Sequence, residues 1–160
     1  LKHLFISFII LTTFTSYGQA PIKFYKSFTD TVFEPGDKIR APEIHFSLSG
    51  GMFVLPKFHD SIQVISDFLR EFPEMNIQIG THTDSRGSSI SNLKLSEHRA
   101  KSIKSELVNK FGISPKRITI KGYGESKLLI KDADIERAHS NQQKEKLHQL
   151  NRRTEIMILK

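Results

Sequence analysis

The sequence predicts an α+β domain in which a mixed β-sheet is packed by two main helices. Short runs of alternating apolar residues recur near positions 44–48, 77–79, 118–120 and 156–158, the period of strands. Two longer stretches between the first three runs carry apolar residues at helical spacing. Strand and helix therefore alternate as far as the third strand, the pattern of a layered sheet-and-helix fold. At 160 residues and 38% hydrophobic content, the chain has material for a single core.

The first twenty residues, "LKHLFISFIILTTFTSYGQA", combine Lys2, an apolar stretch from Leu4 to Phe14 and the small-x-small ending Gly18-Gln19-Ala20. This is the anatomy of a secretory signal peptide over residues 1–20, and its apolar run is shorter than the roughly 20 residues a membrane-spanning helix needs. Residues 21–43 form an N-terminal arm with scattered aromatics, a Pro35-Gly36 turn and room for one short strand. The domain proper is expected over residues 44–160, and its first strand has Ile44, Phe46 and Leu48 on one face.

Pro56 opens the first helix, whose stripe is Phe58, Ile62, Ile65, Leu69 and Phe72; Pro73 ends it. The second strand follows in "MNIQIGT". The second helix is expected from Ile90 to Phe111, with Leu93, Ala100, Ile103, Leu107 and Phe111 inward and Gly112 as its stop. Ile118 and Ile120 mark the third strand, which ends in "GYGE". Residues 126–150 are polar and charged, with a thin apolar face of Ile135, Ala138, Leu147 and Leu150, and read as a surface insertion. "RTEIMILK" is the fourth strand, apolar on both faces.

With 24 Lys and Arg against 17 Asp and Glu, the formal net charge is +7, which admits anionic partners without choosing one. The aromatics fall mostly on apolar faces, which argues for core and against nucleic acid. The sequence contains no cysteine, so it offers neither disulfides nor a site for a lipid anchor on cysteine. After signal cleavage no transmembrane segment is expected.

The chemistry concentrates in "IGTHTDSRGSSISNLKLSEHRA". Asp84 lies just beyond the second strand, where ligand crevices of open sheets form. Asn92 and Arg99, seven residues apart, share a helix face about 10 Å apart. An acid, an amide and a guanidinium around one pocket suit a zwitterion, because Asp84 accepts from an ammonium while Arg99 grips a carboxylate. Spacing alone leaves a second arrangement open, in which Asp84 and Arg99 simply pair with each other. Catalytic parts do not assemble: there is no G-x-S-x-G, no cysteine nucleophile and no H-E-x-x-H, so neither an enzyme nor a metal or other cofactor is expected. His82 reads as a hydrogen-bonded structural residue.

Four ordered motifs, "IQIGTHTDSRG", "NLKLSEHRA", "RITIKGYGES" and "NRRTEIMI", together resemble the OmpA-like C-terminal domain family, which binds peptidoglycan. The resemblance implies four core strands in the order 1-4-2-3, the fourth antiparallel. It also implies that Asp84 and Arg99 bind the diaminopimelate of the peptidoglycan stem peptide, that Asn92 lines the same pocket and that the backbone at Thr83 helps. The N-R-R motif places Arg152 or Arg153 near the ligand, with Arg152 preferred. Where many members carry an acidic or amide residue after the first strand, this chain has Leu48, Ser49 and Gly50. The function implied is non-catalytic association of a periplasmic envelope protein with the cell wall, with any outer-membrane link running through a partner. The alternative is an interaction scaffold of an envelope, motility or secretion assembly that docks through the arm or the insertion.

Overall fold

A computed structural model describes residues 25–46, 54 and 58–160. The expected signal peptide, the Leu48-Ser49-Gly50 departure and the Pro56 helix start lie outside the described residues. The elements in chain order are β1 (Lys38–Arg40), α1 (His59–Glu71), β2 (Ile77–His82), α2 (Ser89–Asn109), β3 (Ile118–Gly124), α3 (Asp132–Glu136), α4 (Asn141–Asn151) and β4 (Thr154–Ile158). The four strands form one sheet in the order β1-β4-β2-β3. Strand β4 runs antiparallel to both β1 and β2, while β2 and β3 are parallel. Fold class, strand order and the antiparallel fourth strand are therefore as the family resemblance implies.

The first strand lies earlier than its alternating pattern indicates. Lys38, Ile39 and Arg40 pair with Met157, Ile156 and Glu155, whereas Phe46 makes only an isolated bridge to Val54. Pro42 has no N–H to donate to a ladder, and the pairing with β4 closes with the Ala41 amide on the Thr154 carbonyl at 3.0 Å. The arm's aromatics also belong to the core: Phe28 and Phe33 meet the ring of Phe68 edge-on at 5.4 and 5.2 Å. Phe68 is thus an inward residue that the predicted α1 stripe omits. Ile62, Ile65 and Leu69 are buried as expected, with Phe58 and Phe72 half-buried beside them.

Helix α2 starts on Ser88, whose side chain accepts the Ser91 amide, a conventional N-cap. Ala100, Ile103 and Leu107 are buried as expected, but Leu93 is 45% exposed. The reason lies in β3. A Cβ on Gly122 would sit 2.5 Å from the Glu97 nitrogen, and one on Gly124 would sit 2.9 Å from that of Leu93, so the strand's glycines let the first half of the helix rest on its backbone. Only small or polar side chains fit between, and the inward line there runs through Asn92 and Ser96. Ser96 joins both strands: its hydroxyl accepts the Gly124 amide at 2.9 Å and its carbonyl accepts the Thr81 hydroxyl at 2.5 Å.

In the insertion, Ile135 is fully buried but Leu150 is exposed. Its connection to the sheet is polar instead: the Asn151 side chain accepts the amides of Leu129 and Ile130 at 2.8 and 2.9 Å and donates to the Ile130 carbonyl at 2.8 Å.

On β4, Glu155 is only 2% exposed. Its carboxylate accepts Tyr25 Oη at 2.7 Å, Lys38 Nζ at 2.9 Å and Arg153 Nε at 2.8 Å, and the His82 ring lies 3.7 Å away, beyond hydrogen-bond range. Burial alone would push this carboxyl up, but the contacts with His82, Lys38, Tyr25 and Arg153 outweigh it and hold the group far below the ordinary carboxylate range. His82 stacks on Tyr123 at 4.7 Å, and burial holds its imidazole below the usual 6.5. Both ring nitrogens are without hydrogen-bond partners, so the expected hydrogen-bonded histidine is instead held by stacking.

Removing the carboxylate strands buried cations, so Glu155→Ala should lower stability by about 3–5 kcal/mol in urea denaturation. Stability should also fall as pH drops. Below 6.5 the unfolded His82 binds a proton that the folded one refuses, and below the usual carboxylate range the unfolded Glu155 does the same. Urea midpoints measured from pH 8 to pH 4 check this, and Glu155→Gln should flatten the acid end of the profile.

Candidate functional site

Asp84 lies two residues past β2 in a short loop leading to α2, and is 5% exposed. Asn92 shapes that loop from below. Its amide nitrogen donates to the carbonyls of Asp84 and Arg86, both at 3.2 Å, and to the Glu125 carboxylate at 2.6 Å. Asn92 therefore holds the loop's backbone around Asp84. The Thr83 amide likewise donates to the Gly124 carbonyl at 3.0 Å, which commits it to the strand-end pairing.

The Asp84 carboxylate is surrounded by donors. Oδ1 accepts the Arg86 amide at 3.1 Å, while Oδ2 accepts Arg86 Nη2 at 2.7 Å, Arg86 Nε at 3.2 Å and Arg152 Nη1 at 2.5 Å. Burial would raise its proton affinity, but the hydrogen bonds from Arg86 and Arg152 outweigh burial and hold the carboxyl below its ordinary value. Both arginines continue to Glu145 on α4: Arg86 Nη1 reaches Oε2 at 2.9 Å and Arg152 Nη2 reaches Oε1 at 2.6 Å. Asp84, Arg86, Glu145 and Arg152 thus close a ring of alternating charge that ties the β2–α2 loop to the insertion.

Arg99, on the third turn of α2, takes no part in this ring. Its guanidinium lies over the Phe46 ring at 5.2 Å, and its Nε is buried without a hydrogen-bond partner. Among the described residues no carboxylate lies within ion-pair distance of it. Burial and the nearby charge of Arg152 both lower its proton affinity, with Asp84 opposing them. The direct Asp84–Arg99 pair left open by the spacing does not form.

Arg99 and Arg152 line a cavity of about 400 Å³ together with Glu43, His45, Phe46 and Gln149. Gln149 on α4 donates to Glu43 at 2.9 Å, so the insertion forms one wall of the cavity and the segment after β1 forms another. Asp84 borders this space through Arg152, which both lines the cavity and bonds the carboxylate.

The three residues of N-R-R have separate roles. Asn151 anchors the loop before α3, Arg152 reaches Asp84, and Arg153 is buried on Glu155. Arg152 and Arg153 both line the cavity, and Arg152 is the one bonded to Asp84. Arg86 and Glu145 were not singled out in the sequence. Arg86 could have been suspected from standing two residues after Asp84, but Glu145 offers no signal in a charged helix read as surface. Among the described residues no cluster of three or more His, Asp and Glu is placed to hold a metal, and no helix is long and apolar enough to cross a membrane.

The sheet order, the loop carrying Asp84 and the helix carrying Arg99 define an OmpA-type domain. A sequence model of the OmpA family matches residues 50–142, more than half of the chain, and the chain belongs to that family. The matched region carries Asp84, Asn92 and Arg99; Arg152 lies beyond it. Over 80 residues the chain is 40% identical to outer membrane porin F of Pseudomonas fluorescens, covering 50% of this chain and 24% of that protein. Over 101 residues it is 36% identical to the peptidoglycan-associated lipoprotein of Buchnera aphidicola, covering 63% and 52%. The chain thus spans about a quarter of the porin and about half of the lipoprotein. An outer membrane protein structure from Borrelia burgdorferi B31 superposes with a TM-score of 0.55 at 25% identity, covering 80% of this chain and 93% of that one.

The amide of Asn92 is the main tie on the backbone around Asp84. Asn92→Ala should speed amide hydrogen exchange over residues 84–88 while the core strands keep their protection, and it should cost about 1–3 kcal/mol in denaturant melts.

Proposed function

We propose that this chain is a non-catalytic module that binds peptidoglycan, gripping the diaminopimelate of the stem peptide between Asp84 and Arg99. In this reading Arg152 borders the ligand and Asn92 and Thr83 hold the loop that presents Asp84. The observation that carries it is the state of Arg99: a largely desolvated guanidinium, with a buried unpartnered Nε, beside a cavity lined by a second arginine. A carboxylate placed there would gain charge-assisted hydrogen bonds from planar donors. Asp84, held ionised, supplies the complementary charge for an ammonium. Membership of the OmpA family and the similarity to a peptidoglycan-associated lipoprotein support a role at the cell wall.

The module is proposed to be exported by residues 1–20, to act in the periplasm and to associate an envelope protein with the wall. The alternative scaffold role has less to stand on, since Phe28 and Phe33 of the arm pack on Phe68 and the insertion's Glu145 and Gln149 face the site.

Purified sacculi should retain the wild-type protein, and Asp84→Ala or Arg99→Ala should each reduce retention roughly tenfold or more, the loss expected for one charge-assisted contact. Retention should also weaken with added salt, because both contacts are ionic. Equal retention of wild type and both variants would refute the assignment.

A further inference from the structure

The proposed clamp has one half engaged and one half open. Asp84 already receives four N–H donors, three of them from Arg86, and Oδ2 alone carries three, two from the Arg86 guanidinium and one from Arg152. Arg99, the cationic half, has its Nε buried and unpartnered. We propose that Arg86 is an affinity-limiting residue that occupies the ammonium position at Asp84 Oδ2, so that a ligand's ammonium reaches that oxygen by displacing the Arg86 guanidinium. This rests on the reading of Asp84 and Arg99 as a ligand clamp.

Arg86, more than Arg152, is the group able to leave. Its side chain is 54% exposed against 29% for Arg152. Its backbone amide stays on Oδ1 when the side chain departs, so the loop keeps its turn. Glu145 already holds its Nη1 at 2.9 Å and remains its partner after displacement.

The exchange lowers the affinity of every ammonium-bearing ligand. An amine alone replaces one cation on Asp84 by another, and an ammonium lacks the planar fork that suits a carboxylate. A lysine-type side chain therefore gains little. An amino-acid terminus, with ammonium and carboxylate on one carbon, makes the same exchange and adds a carboxylate on Arg99. The carboxylate contact at Arg99 therefore separates the two ligand classes, and the Arg86 exchange lowers the affinity of both alike.

The test is NMR titration of the full chain with two synthetic stem peptides, one carrying diaminopimelate and one carrying lysine at the same place. Wild type should bind the diaminopimelate peptide and discriminate strongly against the lysine one. Arg86→Gln should bind both peptides at least about tenfold more tightly than wild type does, leaving the ratio between them unchanged, and Arg86→Lys should fall between. Thermal melts confirm that each variant is folded, and adding Asp84→Ala to Arg86→Gln should abolish the gain. Weakened or unchanged binding by folded Arg86→Gln, with wild-type binding intact, overturns the displacement proposal alone. Failure of wild type and every variant to bind either peptide overturns it together with the clamp itself.

Discussion

Glu155 stands on β4, between β1 and β2, with almost no access to water, and a charge in that position is tolerable only while cations and hydrogen-bond donors reach it. The groups that do so come from far apart in the chain. Tyr25 brings the segment before β1, Lys38 brings β1 itself, and Arg153 brings the junction between α4 and β4. Folding the sheet and assembling these partners are therefore one event. The same event sets the site, because with Arg153 held on one side of the chain its neighbour Arg152 is directed to Asp84.

The site is built by division of labour among adjacent residues. Polar side chains that could have faced a ligand hold backbone instead: Asn92 the loop, Ser96 the strand ends, Asn151 the root of the insertion. Charged side chains then work from fixed positions. The insertion is part of this construction, since it supplies Glu145 to the charge ring and Gln149 to the cavity wall.

Much of this was legible in the sequence, and the exceptions have physical causes. The core of α2 followed helical spacing wherever apolar residues meet apolar residues, at Ala100, Ile103 and Leu107. It failed at Leu93 because glycines in β3 bring backbone against the helix, which reverses which side chains fit. The first strand was placed late because alternation at Ile44–Phe46–Leu48 is stronger than at Lys38–Ile39–Arg40. Pairing depends on the partner strand and on Pro42, neither of which alternation reports. Asp84 and Arg99 were readable as candidates from their places and spacing, and Arg152 through the family resemblance. The ring that connects two of them was not, because Arg86 and Glu145 are ordinary charged residues whose meeting across 59 positions only the tertiary structure shows.

The chain has no tryptophan and three tyrosines, Tyr17, Tyr25 and Tyr123. Tyr17 falls in the stretch read as a signal peptide, and the other two are among the described residues. One donates its hydroxyl to Glu155; the other stacks on His82 beneath the ammonium groups of Lys121 and Lys127. Both chromophores therefore border the buried charge cluster. The near-ultraviolet absorption and dichroism of these two tyrosines are, in effect, a label-free signal from that cluster.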